Sequence, residues 1–476
     1  MGQRFMESYK GIIQTEKIRR EIRWADKNKE DIMKKHHNTV KRGMALALVT
    51  CMAVSATACS GGQTADTSGA ETTGGNGNVA EITFWDMPWG PAQYLPAAQA
   101  LVERFNTEHP DIHVAYQSIP WDGANQAFNL ALASDAPLDV CTSGGYDAHL
   151  FAARGDTLPL DDLVKEMEAD GLTDYFVDGS LEQFQMNGEQ IALPWTIDPK
   201  GIFYRKDMLE EAGLEAPKTW DELMNCCKVL TRDGIYGMAV AGANQWGVEY
   251  FMYNNGGSYV NKEMQGNYLT PENKQALEFL RSWKDEGVIA PGSAGYLRTD
   301  AAKLFLQGKA AFVNLSCDFS VEIKDQGEEF YNNVELLPPL TSPSGNNKVP
   351  MGVNGMIGFK KTKYPEAVKT FIRWWSENSD SLWQEGGMGP FPAVKAKHTL
   401  SAITENKMKK TFATEVIPNC VSLNYPCPNA FPAMSAIEGE ELSGQASSMC
   451  VGTDKSIDEI MTTIDDHLQK IIKATE

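Results

Sequence analysis

Residues 81–140 alternate short β-favouring runs with amphipathic helical stretches, and that order leaves few folds open. Glu81-Ile-Thr-Phe-Trp-Asp86 reads as a strand, and a helix from about Tyr94 to Glu108 follows with Leu95, Ala98, Leu101, Val102 and Phe105 on one side. His109-Pro110 stops that helix, because the ring of a proline disfavours helical geometry in the residue before it. Ile112–Gln117 forms a second strand, a helix carrying Phe128, Leu130, Ala131 and Leu132 comes next, and Pro137-Leu-Asp-Val140 forms a third strand. A βαβαβ order implies a mainly parallel sheet with helices on both faces. Such sheets bind ligands beyond the carboxyl ends of their strands.

Those ends are where unusual residues gather. Trp85, Asp86 and Trp89 follow strand one, Trp121 and Asp122 follow strand two, and Ser143, Gly144, Gly145 and Tyr146 follow strand three. A sugar offers C–H faces that stack on aromatic rings and hydroxyls that need fixed donors and acceptors, so Trp or Tyr beside Asp or Asn is the expected lining. Trp374, Trp375 and Trp383 lie instead in a helical pattern with Phe371 and Ile372, which places them in a core.

A second informative stretch runs NGEQIALPWTIDPKGIFYRKDMLEEAGLEAPKTWDEL from Asn187 to Leu223. Gly201–Tyr204 reads as a strand, Lys206–Gly213 as a helix closed by a glycine, and Thr219 with Glu222 as the capping box of the next helix. This order, together with ITFWDM, ALVERFNTEHPDIHV, ALASDAPLDV, GDTLPLDDL, FLQGKAAF, GVNGMIGFKKTKYPEAVKTFIRWW and MGPFPA, resembles family 1 of the bacterial extracellular solute-binding proteins, the maltose-binding-protein-like sugar receptors of ABC importers. The resemblance extends over nearly all of residues 79–476.

It implies an α/β, two-lobed periplasmic-binding-protein-like fold of the class II type, each lobe a mainly parallel sheet flanked by helices, with solute enclosed between the lobes. A multi-crossing hinge would join them at Asp198–Gly201, near Val353–Met356 and near Ala402. Lobe one would then be residues 79–198 with 357–401, and lobe two residues 199–356 with 402–476. Carried over position by position, Trp195 and Asp198 match the aromatic and polar places that face solute on the turn within the Asn187–Leu223 stretch. Tyr146 matches a loop position of lobe one, and Trp246 a stacking ring of lobe two. Asn354 and Gly355, with Gly352, match a glycine-rich crossing, and Asp318 and Phe391 are further matches. The resemblance also implies transmembrane ABC subunits as partners and a monomeric receptor.

Gly43–Ala58 is an uncharged run rich in Ala, Val, Leu and Met behind Lys34, Lys35, Lys41 and Arg42. It is short for a spanning helix and fits an export signal. Ala56-Thr57-Ala58-Cys59 resembles a bacterial lipobox, although leucine is more usual where Ala56 stands, so Cys59 is the expected lipidation site and residues 1–58 the signal region. Residues 1–32 fit no targeting pattern, and Met33 before Lys34-Lys35 is the expected start of translation. Residues 59–78, all small or polar, read as a flexible tether reaching on the order of 25 Å. The protein is expected outside the cell, on the outer face of the cytoplasmic membrane.

The chain carries a net charge of −20, and the basic excess of residues 1–58 makes the remainder more acidic still. That argues against nucleic acid as a partner. Seven cysteines beyond Cys59, without C-x-x-C spacing, oppose a zinc or redox site, and Cys226-Cys227 read as apolar filler in a helix. There is no H-E-x-x-H, G-x-S-x-G, phosphate-loop or EF-hand motif, so neither an enzyme nor a cofactor or metal is expected. Two alternatives remain at this level. A surface glycan hydrolase could hide its carboxylate pair from the sequence, and a non-sugar polar solute could occupy the same kind of body.

Overall fold

Strand β1 (Ala80–Asp86) buries Ile82, Phe84 and Asp86 at alternate positions, and the helix Tyr94–Glu108 covers it with Tyr94, Ala98, Leu101, Val102 and Phe105. The computed structural model describes residues 79–121, 123–134, 138–145, 147–172, 174–244, 247–427 and 433–475. The signal region, Met33, Cys59 and the tether therefore lie outside the described residues, as do Asp122, Tyr146 and Trp246. Strand β1 lies between β2 (Ile112–Ser118) and β3 (Val140–Ser143) and is parallel to both, the arrangement the βαβαβ order requires. β3 begins at Val140, later than its sequence suggests. The Asp139 side chain takes up the Thr83 backbone N–H at 2.8 Å and so replaces the ladder bond that a longer strand would make.

Next comes a small hairpin of β4 (Gln185–Met186) and β5 (Glu189–Gln190), whose turn residues Asn187 and Gly188 both adopt positive φ. The long strand β6 (Leu193–Arg205) absorbs the short strand expected at Gly201–Tyr204. After it come β7 (Tyr236–Ala239), β8 (Ala310–Ser316), β9 (Val334–Leu336), β10 (Val349–Gly358), β11 (Phe391–Pro392) and β12 (Cys420–Ser422). The main path of the sheet runs β2-β1-β3-β10-β6-β8-β7.

β6 changes partner partway along. Leu193–Pro199 pairs antiparallel with β10, whereas Lys200–Tyr204 pairs antiparallel with β8. β10 does the converse: Val349–Met351 lies beside β12, and Gly355–Gly358 beside β3. The result is two half-sheets on two lobes sharing one waist. The expectation of mainly parallel sheets holds for β1 with β2 and β3, for β10 with β12 and for β7 with β8. Where β6 and β10 pair with each other the strands are antiparallel for a topological reason: a chain that leaves a lobe on one strand and returns on its neighbour must reverse direction.

Each lobe has an aromatic core. Phe84 meets Phe371 and Trp375 edge to face at 5.0 and 4.9 Å, and Trp374 and Trp383 are buried in the same lobe as their helical spacing suggests. In the other, Phe251 packs on Trp220 at 5.3 Å and on Trp283 at 5.1 Å. Trp220 opens a helix (Trp220–Leu230) capped by Thr219, whose hydroxyl accepts from the Glu222 N–H at 3.2 Å. Glu222 reaches back to the Lys218 N–H, one residue earlier than a standard capping box. Cys226 and Cys227 are buried on that helix, and the seven described cysteines are all free thiols.

Candidate functional site

A cavity of about 1230 Å³ opens between the half-sheets and is lined from both. Trp89 and Trp121 form an aromatic wall on the β1 side, with Gly144, Gly145 and Asp147 beside them. Asp198, Lys200 and Asn354 come from the waist strands, and Glu249, Asp318 and Glu438 from the opposite lobe.

The aromatic wall is positioned by a buried polar relay. Trp89 donates its indole N–H to Thr142 Oγ1 at 3.0 Å, and that hydroxyl also accepts the Met87 N–H at 3.2 Å. Thr142 donates in turn to Asp86 Oδ1 at 2.5 Å, and Asp86 Oδ2 accepts the hydroxyls of Tyr94 and Tyr116 at 2.9 and 3.1 Å. Burial pushes the Asp86 carboxyl up to about 7, against the opposing pull of Thr142, Tyr94, Tyr116 and Trp89. Trp89 then sits edge to face between Trp121 at 4.9 Å and Trp195 at 5.0 Å. Trp121 is 48 % exposed, covers Gly144 and is tethered through its indole N–H to the Pro88 carbonyl at 3.1 Å.

Asn354 ties the waist to the first lobe. Its Nδ2 donates to Thr196 Oγ1 at 2.9 Å, and its Oδ1 accepts the Gly145 N–H at 2.8 Å. Asp198 accepts from Lys200 Nζ at 3.2 Å and from the Cys317 thiol at 3.4 Å. Across the cavity, Asp318 is held by Arg298 at 2.9 Å and by the Ser316 hydroxyl, while burial keeps its carboxyl above the usual range against the pull of Arg298.

Five expected contacts lie elsewhere. Trp85 and Asp86 are consecutive on a strand and point to opposite faces, Trp85 onto Phe128 at 5.7 Å and Asp86 into the relay behind the wall. Trp195 is only 2 % exposed and stands behind Trp89 instead of facing the cavity. Gly355 serves packing, since a Cβ there would lie 3.0 Å from Ala192 and Phe184. Phe391 is buried between His398 and Phe412, and its neighbour Pro390 lines the cavity instead. Trp89, Trp121, Asp198, Asp318 and Asn354 do line it. Tyr146 and Trp246 fall outside the described residues.

Sequence reasoning missed Asp147, Lys200, Glu249 and Glu438. Glu249 left a readable signal, because it opens a helix (Glu249–Asn254) in which every other residue is hydrophobic or amide-bearing and all are buried. Glu438 sits on the helix Met434–Gly439 and shares a hydrogen bond with Glu249. Burial first, then the Glu438 charge, hold Glu249 well above the carboxylate range, with Lys200 acting against them. Glu438 is pushed up to about 7 by burial, against the pull of Lys200 and of the Glu249 hydrogen bond. Two carboxyls in such contact share one proton. His149, also on the lining, is driven down to about 4 by burial and is neutral at physiological pH. Among the described residues no cluster of three or more His, Cys, Asp or Glu is placed to hold a metal ion.

Two lobes on a shared waist, with a cavity lined from both, are the architecture expected of a solute-binding protein. The family comparison agrees: the chain belongs to the bacterial extracellular solute-binding proteins, whose family model matches residues 91–380. It is 26 % identical over 277 residues to a putative binding protein of Brucella abortus (strain 2308), an alignment covering 57 % of this chain and 66 % of that relative. The chain thus spans just under two thirds of that relative's length. It is 22 % identical over 331 residues to the arabinooligosaccharide-binding protein of Bacillus subtilis (strain 168), covering 67 % of this chain and 75 % of the relative. Among solved structures, a sugar transporter from Arthrobacter chlorophenolicus A6 with bound laminaribiose superposes with a TM-score of 0.70 at 25 % identity, over 82 % of this chain and 99 % of that one.

Proposed function

We propose that the protein is the sugar receptor of an ABC importer, holding a sugar or oligosaccharide between its lobes and presenting it to transmembrane subunits. The observation that carries this reading is the cavity, with the Trp89–Trp121 wall on one lobe and hydrogen-bonding carboxyls on the other. Its volume exceeds the roughly 300–1,000 Å³ of ordinary small-molecule pockets, which suits more than one sugar ring. Similarity to an arabinooligosaccharide-binding protein and to a laminaribiose-bound structure adds support.

On this reading lobe one is residues 79–198 with 357–401 and lobe two residues 199–356 with 402–476. The change of β6 partner between Pro199 and Lys200 supports the first crossing, and the shift of β10 from β12 to β3 the second. Closure of the lobes on solute results from contacts made to both, since only differential affinity shifts such an equilibrium. The receptor works as a monomer, anchored through lipidated Cys59 and its tether. We read it as a receptor and not a hydrolase, in keeping with a family of solute-binding proteins.

Thermal unfolding with a panel of oligosaccharides tests the reading. A bound sugar at a hundred times its Kd should stabilise the fold by about 2.7 kcal/mol and be recovered chemically intact. Cleavage of the sugar would favour the hydrolase, and stabilisation by amino acids or polyamines alone would replace the sugar with another solute.

A further inference from the structure

The charges around the cavity bear on which sugars it admits. Asp147, Asp198, Glu249, Asp318 and Glu438 all line it, and among the described lining residues Lys200 supplies the one ammonium group. Lys200 is already engaged by Asp198 at 3.2 Å, and the guanidinium beside the lining, Arg298, is taken by Asp318 at 2.9 Å and Glu322 at 2.6 Å. Glu249 and Glu438 face this space from two different helices and hydrogen-bond to each other. The one proton of this pair lies in the hydrogen bond between the two carboxyls, so toward a solute the pair only accepts, which suits the hydroxyl donors of a neutral sugar. A solute carboxylate would meet like charge on this wall without a cation to neutralise it.

We propose that the cavity is selective for uncharged sugars and rejects uronates, with Glu249 and Glu438 as the discriminating pair. The inference rests on the carbohydrate reading and narrows it to a substrate class. A neutral hydroxymethyl can donate its O–H to the pair's free oxygens, whereas a C6 carboxylate can only accept and meets no donor there. Rejection should therefore deepen as the pair loses its proton. The groups facing the pair are Lys200 on β6, Tyr253 on the same helix as Glu249, Tyr259, whose hydroxyl lies 3.5 Å from Glu249, and Glu441 beyond Glu438. The tyrosines are held neutral above their usual range by burial, so the carboxyl pair is the part of this group that changes charge near neutral pH.

Calorimetric titration of the full protein decides the matter. The neutral probes are maltotriose, cellotriose, laminaritriose and arabinotriose, and the acidic probes trigalacturonate and triglucuronate. We expect at least one neutral probe to bind and both uronates to bind at least about 100-fold more weakly at pH 7, a gap that widens from pH 6 to pH 8. Uronate binding as tight as that of the best neutral probe overturns this inference and leaves the sugar reading standing. Silence from both sets overturns the sugar reading, and this inference with it. Glu438→Gln, checked for an unchanged melting profile, should narrow the gap at least tenfold. An unchanged gap in that variant, or a gap independent of pH in the native protein, would remove the pair from the role.

Discussion

The two tryptophans that flank Trp89 have opposite duties. Trp121 is half exposed on the cavity, and Trp195 is sealed behind the wall. Trp121→Ala should cost about 1–3 kcal/mol of solute binding with little loss of stability. Trp195→Ala, which empties a buried ring site, should cost about 3–5 kcal/mol of stability. Denaturant unfolding and calorimetry on both variants check the split, and a destabilised Trp121→Ala beside an intact Trp195→Ala would reverse the assignment. The sequence marks Trp121 at the end of strand two and Trp195 on the turn before the first crossing, both as expected solute contacts, but is silent on which ring meets solvent. That depends on strand alternation combined with the depth of the wall: Trp85 and Asp86 stand together in sequence and end on opposite faces, neither on the cavity. Glu249 and Glu438 are far apart in the chain, so no spacing rule could have joined them.

Elements were more legible than individual roles, because their signals are local. Periodicity and the His109-Pro110 stop delimit the helix Tyr94–Glu108, and Thr219 caps its helix as its sequence context suggests. The length of β6 was not legible, since its second partner arrives a hundred residues later. Close packing between elements can also be read from single positions. Gly237 on β7 faces the backbone of the helix Trp220–Leu230, and a Cβ there would lie 2.5 Å from the Cys227 Cα. Gly237→Ala should push that helix off the sheet and lower stability by roughly 1–3 kcal/mol, measured by urea unfolding. Unchanged stability would mean that the helix yields without cost.

At the scale of the molecule, the two lobes share strands β6 and β10, so the waist is part of the sheet and not a linker. A chain of net charge −20 is well suited to staying soluble, yet it places carboxyls where water cannot reach them. Burying such groups ties stability to pH, and the Asp86 relay is the clearest case. Its carboxyl is raised from 3.8 to about 7 in the folded protein, so the folded state holds this proton more tightly than the unfolded chain does. The stability this contributes is complete below pH 3.8 and is lost as pH rises through about 7, at no more than about 1.4 kcal/mol per pH unit. Glu438 works in the same sense between 4.5 and about 7. Urea midpoints should therefore fall from pH 5 to pH 8, and Asp86→Asn should fall less steeply than the native protein; parallel profiles would show that Asp86 does not titrate in that range. The group that aims Trp89 thus also makes the folded protein a proton acceptor, and the wall against which a solute would stack belongs to a fold that is more stable at pH 5 than at pH 8.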